Sequence, residues 1–345
     1  MCNGTIMDKL ITFSVPLMLS SVLQLMFNAV DIIVVGRFSG SQALAAVGST
    51  TALINIFVNL FIGISLGANV LAARFYALEL KKEMSETVHT AITFALVSGI
   101  VVAVFGVTLA RFALEIMATP EDVINKSVLY MRIYFCGMPF FMLYNYGAAV
   151  LRAVGDTKRP LLFLIISGVV NAVLNLFLVI VFHLDVAGVG IATVISQCIS
   201  CILVLRCLYH TESSYQLRFS KLCLKTKYLR QIFAVGVPAG IQSTVINLSN
   251  AMLQSSVNSF GSIAMAGYTA ANNILGFLYV SINSVTQACM SFTSQNYGVK
   301  KWKRMDKVLI DCIILSVVVA LTLGNGAYLL GPKLLRIYSE QADVV

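Results

Sequence analysis

The chain has 345 residues, 58% of them hydrophobic and 11% charged, with a formal net charge of +9. Soluble domains carry about 25% charged residues, so this composition excludes a soluble globule and points to a multi-pass membrane protein. The positive balance is no nucleic-acid footprint, because the Lys and Arg residues collect in the loops between apolar runs.

Nine segments are long and apolar enough to span as helices: roughly 10–35, 43–73, 88–110, 127–150, 161–183, 187–209, 229–257, 262–296 and 308–331. Runs such as GIVVAVFGVTLA (99–110) are apolar on every face, unlike the alternating strands of a barrel, so the expected class is all-α. Lys9 precedes the first run as in a signal peptide, yet that run holds Asp31 and Arg37 and shows no small-residue cleavage site. It reads as a permanent span. When alternate loops are compared, eighteen Lys and Arg fall on the side of the N-terminus and five on the other, with Arg132 just inside the fourth span. The N-terminus is therefore expected in the cytoplasm, with the chain in the cell membrane.

The first spans can be laid over the seventh to ninth. At an offset of 222, Pro16 falls on Pro238 and Asn28 on Asn250; at 221, Tyr76 falls on Tyr297, Lys82 on Lys303 and Met84 on Met305. The repeat is parallel, as in transporters whose halves are related by an axis along the membrane normal. The expected organisation is an N-terminal six-helix lobe (1–209), a basic cytoplasmic linker (210–228) and the first three helices of a second lobe (229–345). In this register Val345 falls on Ile124, so the second lobe is expected to be incomplete, short of three spans and roughly 90 residues.

Polar residues inside the spans are the candidate site. Ser21, Gln24, Asn28 and Asp31 share one helix face. A carboxylate in hydrocarbon costs about 2.5 to 3.5 kcal/mol on insertion scales, so Asp31 should face the bundle interior or a water-filled cavity. The plainer alternative is an interfacial acid paired with Arg37. The repeat puts Leu253 at the matching position, so the fold itself does not demand an acid. Asn171 with Asn175, and Thr193 with Gln197, are i, i+4 pairs in spans five and six. Together with Asp31 their oxygens could coordinate a monovalent cation, or the acid could take a proton alone; on the residues by themselves, interhelical hydrogen bonding is the simpler account. Ser243, Asn247, Asn250 and Gln254 in span seven, and Asn272, Asn273, Asn283 and Gln287 in span eight, either line a cavity or bond between helices. Pro16 and Pro238 either kink their helices or start them.

No catalytic constellation is present. His89, His183 and His210 are scattered, and the eight Cys, including the C-x-x-C at Cys198 and Cys201, have no spacing that recommends a metal or disulfide framework. No enzyme activity, cofactor, nucleic-acid partner or obligate protein partner is expected.

LRAVGDTKRP (151–160), NAVDIIVVGRFSG (28–40) with Pro16 fifteen residues before Asp31, and SQNYGVKKWKRM (294–305) resemble the multidrug and toxic compound extrusion (MATE) family of secondary transporters. The resemblance covers nearly the whole chain. It implies two six-helix lobes in a V, alternating access driven by inward Na+ or H+, and export of amphiphilic, often cationic, small organic compounds. It further implies that Asp31 is the coupling acid, with Asn171, Asn175 and Thr193 at the cation-site positions and no metal beyond a possible Na+ at Asp31. Asn175 departs from the acid often present there, which leaves one formal charge and both coupling ions open. Asn247 matches a position that is acidic in some members. Gln24, Asn28, Asn247, Asn250 and Gln287 are possible cavity-lining residues. Two alternatives remain: a lipid-linked saccharide flippase of related architecture, which would be expected to hold a cavity rich in Arg and Lys that these spans lack, and a truncated chain that does not transport.

Overall fold

A computed structural model describes residues 1–117, 119–258 and 262–335. Ten α-helices follow one another in these residues: α1 (Met7–Phe38), α2 (Ser41–Ala77), α3 (Lys81–Ile116), α4 (Glu121–Cys136), α5 (Met138–Ala153), α6 (Lys158–Leu176), α7 (Asp185–His210), α8 (Thr226–Asn258), α9 (Ser262–Gly298) and α10 (Trp302–Leu335). Eight are long and apolar enough to span alone, and α4 with α5, bent by 43° at their junction, can form a ninth span. No strand is present among the described residues. The all-α, nine-span reading of the sequence is thus what the chain forms. Val345, at the end of the repeat register, lies outside the described residues, as do the side chains of Gln254 and Asn273.

The fourth span is two helices where the sequence suggested one. Pro139 sits in the first turn of α5, where its missing N–H is unpaired in any case; inside a continuous helix it would break the ladder. Gly137 forms the corner, and a Cβ there would lie 2.6 Å from Gln197 Oε1 and 2.9 Å from Val194 Cγ2 of α7, so a larger residue would push these side chains aside. Pro16 and Pro238, in contrast, lie well inside α1 and α8. The helix-start reading of these prolines does not hold. One π-helical turn, Phe177–Val181, continues α6 to the end of its span.

Helices α1 to α7 pack as one bundle, and α8 to α10 build onto it through α1 and α2. The N-terminus gathers with the ends of α2, α5, α7 and α9 at what we call the basic end. There Arg304 donates to the carbonyl oxygens of Met1, Asn3 and Gly4, and Lys301 to Cys2 O and Asn3 Oδ1. The segment from α7 to α8 is anchored at the same end by Lys225 on Glu86 (2.6 Å) and by Arg218 N–H donating to His89 Nε2 (3.0 Å).

The contact between the halves is backbone on backbone. A Cβ on Gly63 would lie 2.2 Å from Gly240 Cα, on Gly67 2.1 Å from Ile232 O, on Gly236 2.6 Å from Ile64 Cα, and on Gly240 2.7 Å from Leu60 O. GISLG (63–67) on α2 therefore meets GVPAG (236–240) on α8, two small-xxx-small faces in antiparallel contact. Beside them Ser291 donates to Asn69 Oδ1 (2.9 Å), Ser294 to Val70 O (3.1 Å), and Gln295 to Ala153 O (2.7 Å), while Phe13 and Phe292 meet edge to face.

Further along, the halves part. Ser21 and Ser284, at 3.3 Å, form the last α1–α9 hydrogen bond in that direction among the described residues, and every α8 side chain from Val245 to Asn250 is exposed. The halves are clasped at the basic end and open toward the other.

Candidate functional site

The site begins with how α1 seats on α6. The ring of Phe27 lies where a Cβ on Gly168 would be, 1.8 Å from its Cζ, so the absent side chain is what lets the helices meet. One turn beyond Phe27 on α1 stands Asp31; three and seven residues beyond Gly168 on α6 stand Asn171 and Asn175. The two helices start at the same end, so these residues rise together.

Asn175, fully buried, donates from its amide nitrogen to Asp31 Oδ1 and also to Asn171 Oδ1 (3.2 Å). Its own amide oxygen is buried with no hydrogen-bond partner. Thr193 of α7 lies within hydrogen-bond reach of the Asp31 carboxylate and also donates to Val189 O (2.9 Å), so its one proton serves a single acceptor at a time. The first, fifth and sixth spans thus bring Asp31 to Asn175 and Thr193, with Asn171 behind.

Two tyrosines of α4 complete the surroundings. Tyr130 and Tyr134, an i, i+4 pair with ring centroids 6.2 Å apart, both lie close enough to feel the Asp31 charge. Neither stood out in the sequence. The signal available was their i, i+4 spacing, which on an apolar helix looks the same as packing.

Arg37 forms no ion pair with Asp31; among the described residues the ion pairs are Arg111–Glu115, Lys126–Asp185, Arg159–Asp156 and Lys225–Glu86. Asp31 is therefore an acid held by amides and a hydroxyl, not by a cation. Gln24 and Asn28 are exposed, and on the helix wheel they fall between Ser21, which touches α9, and Asp31, which touches α6. They face the open space between the halves. Asn247 and Asn250 are exposed on α8, Asn247 donating to Ser243 O (2.8 Å). Gln287 is half-buried and accepts from Arg152 Nη1 (3.4 Å) across the two halves.

No group of three or more His, Cys, Asp or Glu that could hold a metal occurs among the described residues. The oxygens around Asp31 are of a different kind. One carboxylate, two amide oxygens and a hydroxyl, one of the amide oxygens unpartnered, make a hard, singly charged donor set suited to a monovalent cation or to a carboxyl proton.

Comparison with known proteins agrees with this architecture. The MatE family model matches residues 16–177 and 238–345. The probable multidrug resistance protein YoeA of Bacillus subtilis is 32% identical over 342 residues, with 96% of this chain and 73% of the relative covered. The multidrug export protein MepA of Staphylococcus haemolyticus is 22% identical over 348 residues, with 99% and 76% covered. Among solved structures, an outward-facing multidrug resistance MATE family transporter of the MOP superfamily superposes with a TM-score of 0.91 at 20% identity, over 99% of this chain and 76% of that one. A MATE in its straight conformation gives 0.90 at 20% identity, over 99% and 76%. With the family model matched along most of the chain, this protein belongs to the MATE family.

Proposed function

We propose that the protein exports amphiphilic, often cationic, organic compounds in exchange for inward flux of Na+ or H+, by alternating access, with its basic end in the cytoplasm. The names of its relatives support multidrug efflux, and the Lys and Arg excess supports the orientation. In that orientation the clasp is cytoplasmic and the open space faces outward.

The observation that carries the coupling site is the unpartnered Asn175 Oδ1 beside Asp31. In the present arrangement the Asn175 amide spends its N–H on Asp31, as suits a bare carboxylate. When Asp31 takes a proton it becomes a donor, and a half-turn of the Asn175 amide offers its free oxygen as the acceptor. When Na+ enters instead, Asp31, Asn171 Oδ1, Asn175 Oδ1 and the Thr193 hydroxyl are the ligands. Either load reorganises the α1–α6 contact, and α1 also carries Phe13 and Ser21 in the contact with α9. Loading Asp31 then changes substrate affinity through a shift or bend of α1; coupling is that difference in affinity between states.

The test is efflux of a fluorescent cationic dye from proteoliposomes under an imposed Na+ or proton gradient. Asp31→Asn should abolish gradient-driven efflux. Full transport by that variant would remove Asp31 from the mechanism.

A further inference from the structure

A cleft of about 480 Å³ lies between α2 of the first half and α8 and α9 of the second, near the basic end and remote from Asp31. Its volume falls in the range of ligand pockets, about 300 to 1,000 Å³. The walls are Val70, Leu71, Val235 and Met290, with the floor at Gly67. The mouth is polar and holds Arg74, seven residues from Gly67 and so about 10 Å higher along α2.

Arg74 is exposed, its guanidinium 5.3 Å from the Tyr297 ring centroid, and it forms no ion pair or side-chain hydrogen bond among the described residues. A guanidinium with its donors unused above an apolar cleft is matched by an anion attached to an alkyl chain. The aromatics fix the level. Tyr297 meets Trp302 edge to face at 5.4 Å, both about half exposed, and such a pair at a span end marks the headgroup layer of a bilayer. The mouth is thus where lipid headgroups lie and the floor is where tails lie.

We propose that this cleft binds an anionic amphiphile, with the alkyl chain between α2, α8 and α9 and the phosphate or carboxylate on Arg74. The cleft is remote from Asp31, and the proposal does not depend on which ion drives transport.

The experiment is native mass spectrometry of the detergent-purified protein after exposure to equimolar dioleoyl phosphatidylglycerol and phosphatidylcholine, with oleate against its methyl ester in a second arm. The protein should retain the anionic member of at least one pair, and which pair does so distinguishes a phosphate from a carboxylate head. Arg74→Gln should lower that retention about fivefold, the size expected for one basic residue near an anionic headgroup. Arg74→Lys should keep most of it. Ala234 is exposed on the cleft wall, so Ala234→Phe fills the space and should lower retention as much. Lys303→Gln, an equal charge change at the same end, should leave it alone. Equal retention by all variants, loss in only one of Arg74→Gln and Ala234→Phe, or equal loss in Lys303→Gln would overturn the site.

Discussion

Gly168→Ala puts the seating of α1 on α6 to a direct test. The new Cβ would stand 1.8 Å from Phe27 Cζ, 1.9 Å from Cε2 and 2.5 Å from Cε1, where ordinary contact begins at 3.4 Å. Relief needs a displacement of about 1.6 Å in a packed interface, with a typical overpacking cost of about 1 to 3 kcal/mol. The ring can swing aside or α1 can back away, and both remove the seat that holds Asp31 against Asn175. A hydrogen bond of ordinary length lengthened by about 1.6 Å is no longer a bond. Expressed wholly at the site, the cost corresponds to about 5- to 150-fold in apparent cation affinity. The assay is the cation concentration giving half-maximal dye efflux in proteoliposomes, with thermal unfolding measured in parallel. Phe27→Leu in the same chain shortens the ring and should restore much of the loss. An unchanged half-maximal concentration in Gly168→Ala, or a double variant no better than the single, would refute the reasoning.

Gly240→Val drives a branched side chain into Leu60 O of α2, where even a Cβ would lie at 2.7 Å, and penalises only the arrangement clasped at the basic end. Spin labels at Asn28→Cys and Asn250→Cys should therefore show a shorter mean distance across the open side by electron paramagnetic resonance. Arg304→Ala frees three carbonyl groups of residues 1–4, and amide hydrogen exchange over residues 2–5 should speed up by about tenfold, with the rest of the chain unchanged. Pro16→Ala returns an N–H to the interior of α1 and removes the break in its ladder. Dye efflux should fall while the cation concentration giving half-maximal efflux holds; equal efflux would separate the proline from the coupling.

The helices were legible because apolar runs of span length have few alternatives, and Asp31 was legible because a carboxylate in such a run is costly. Asn175 and Thr193 could be named from resemblance, but their meeting with Asp31 depends on Phe27 and Gly168, and neither residue differs from packing in a one-dimensional pattern. The G-x-x-x-G faces at Gly63 and Gly236 are visible in the sequence, but glycine at that spacing takes meaning only from the partner helix. Pro139 was visible, and a span drawn by hydropathy alone ran through it.

Two of the segments that carry the family resemblance, LRAVGDTKRP and SQNYGVKKWKRM, meet in space. Ala153 O of the first accepts from Gln295 of the second at 2.7 Å, and Gly155, at φ +100°, turns the chain just after that contact in a conformation other residues rarely adopt. Both segments thus serve the clasp at the basic end. The third, NAVDIIVVGRFSG, holds Asp31 at the opposite end of the open space. α1 joins them, since it is one 32-residue helix with Phe13 in the clasp, Pro16 interrupting its ladder and Asp31 on α6. In the proposed mechanism a load at Asp31 would thus reach the clasp without touching it, because both contacts share a helix that Pro16 interrupts beside the clasp.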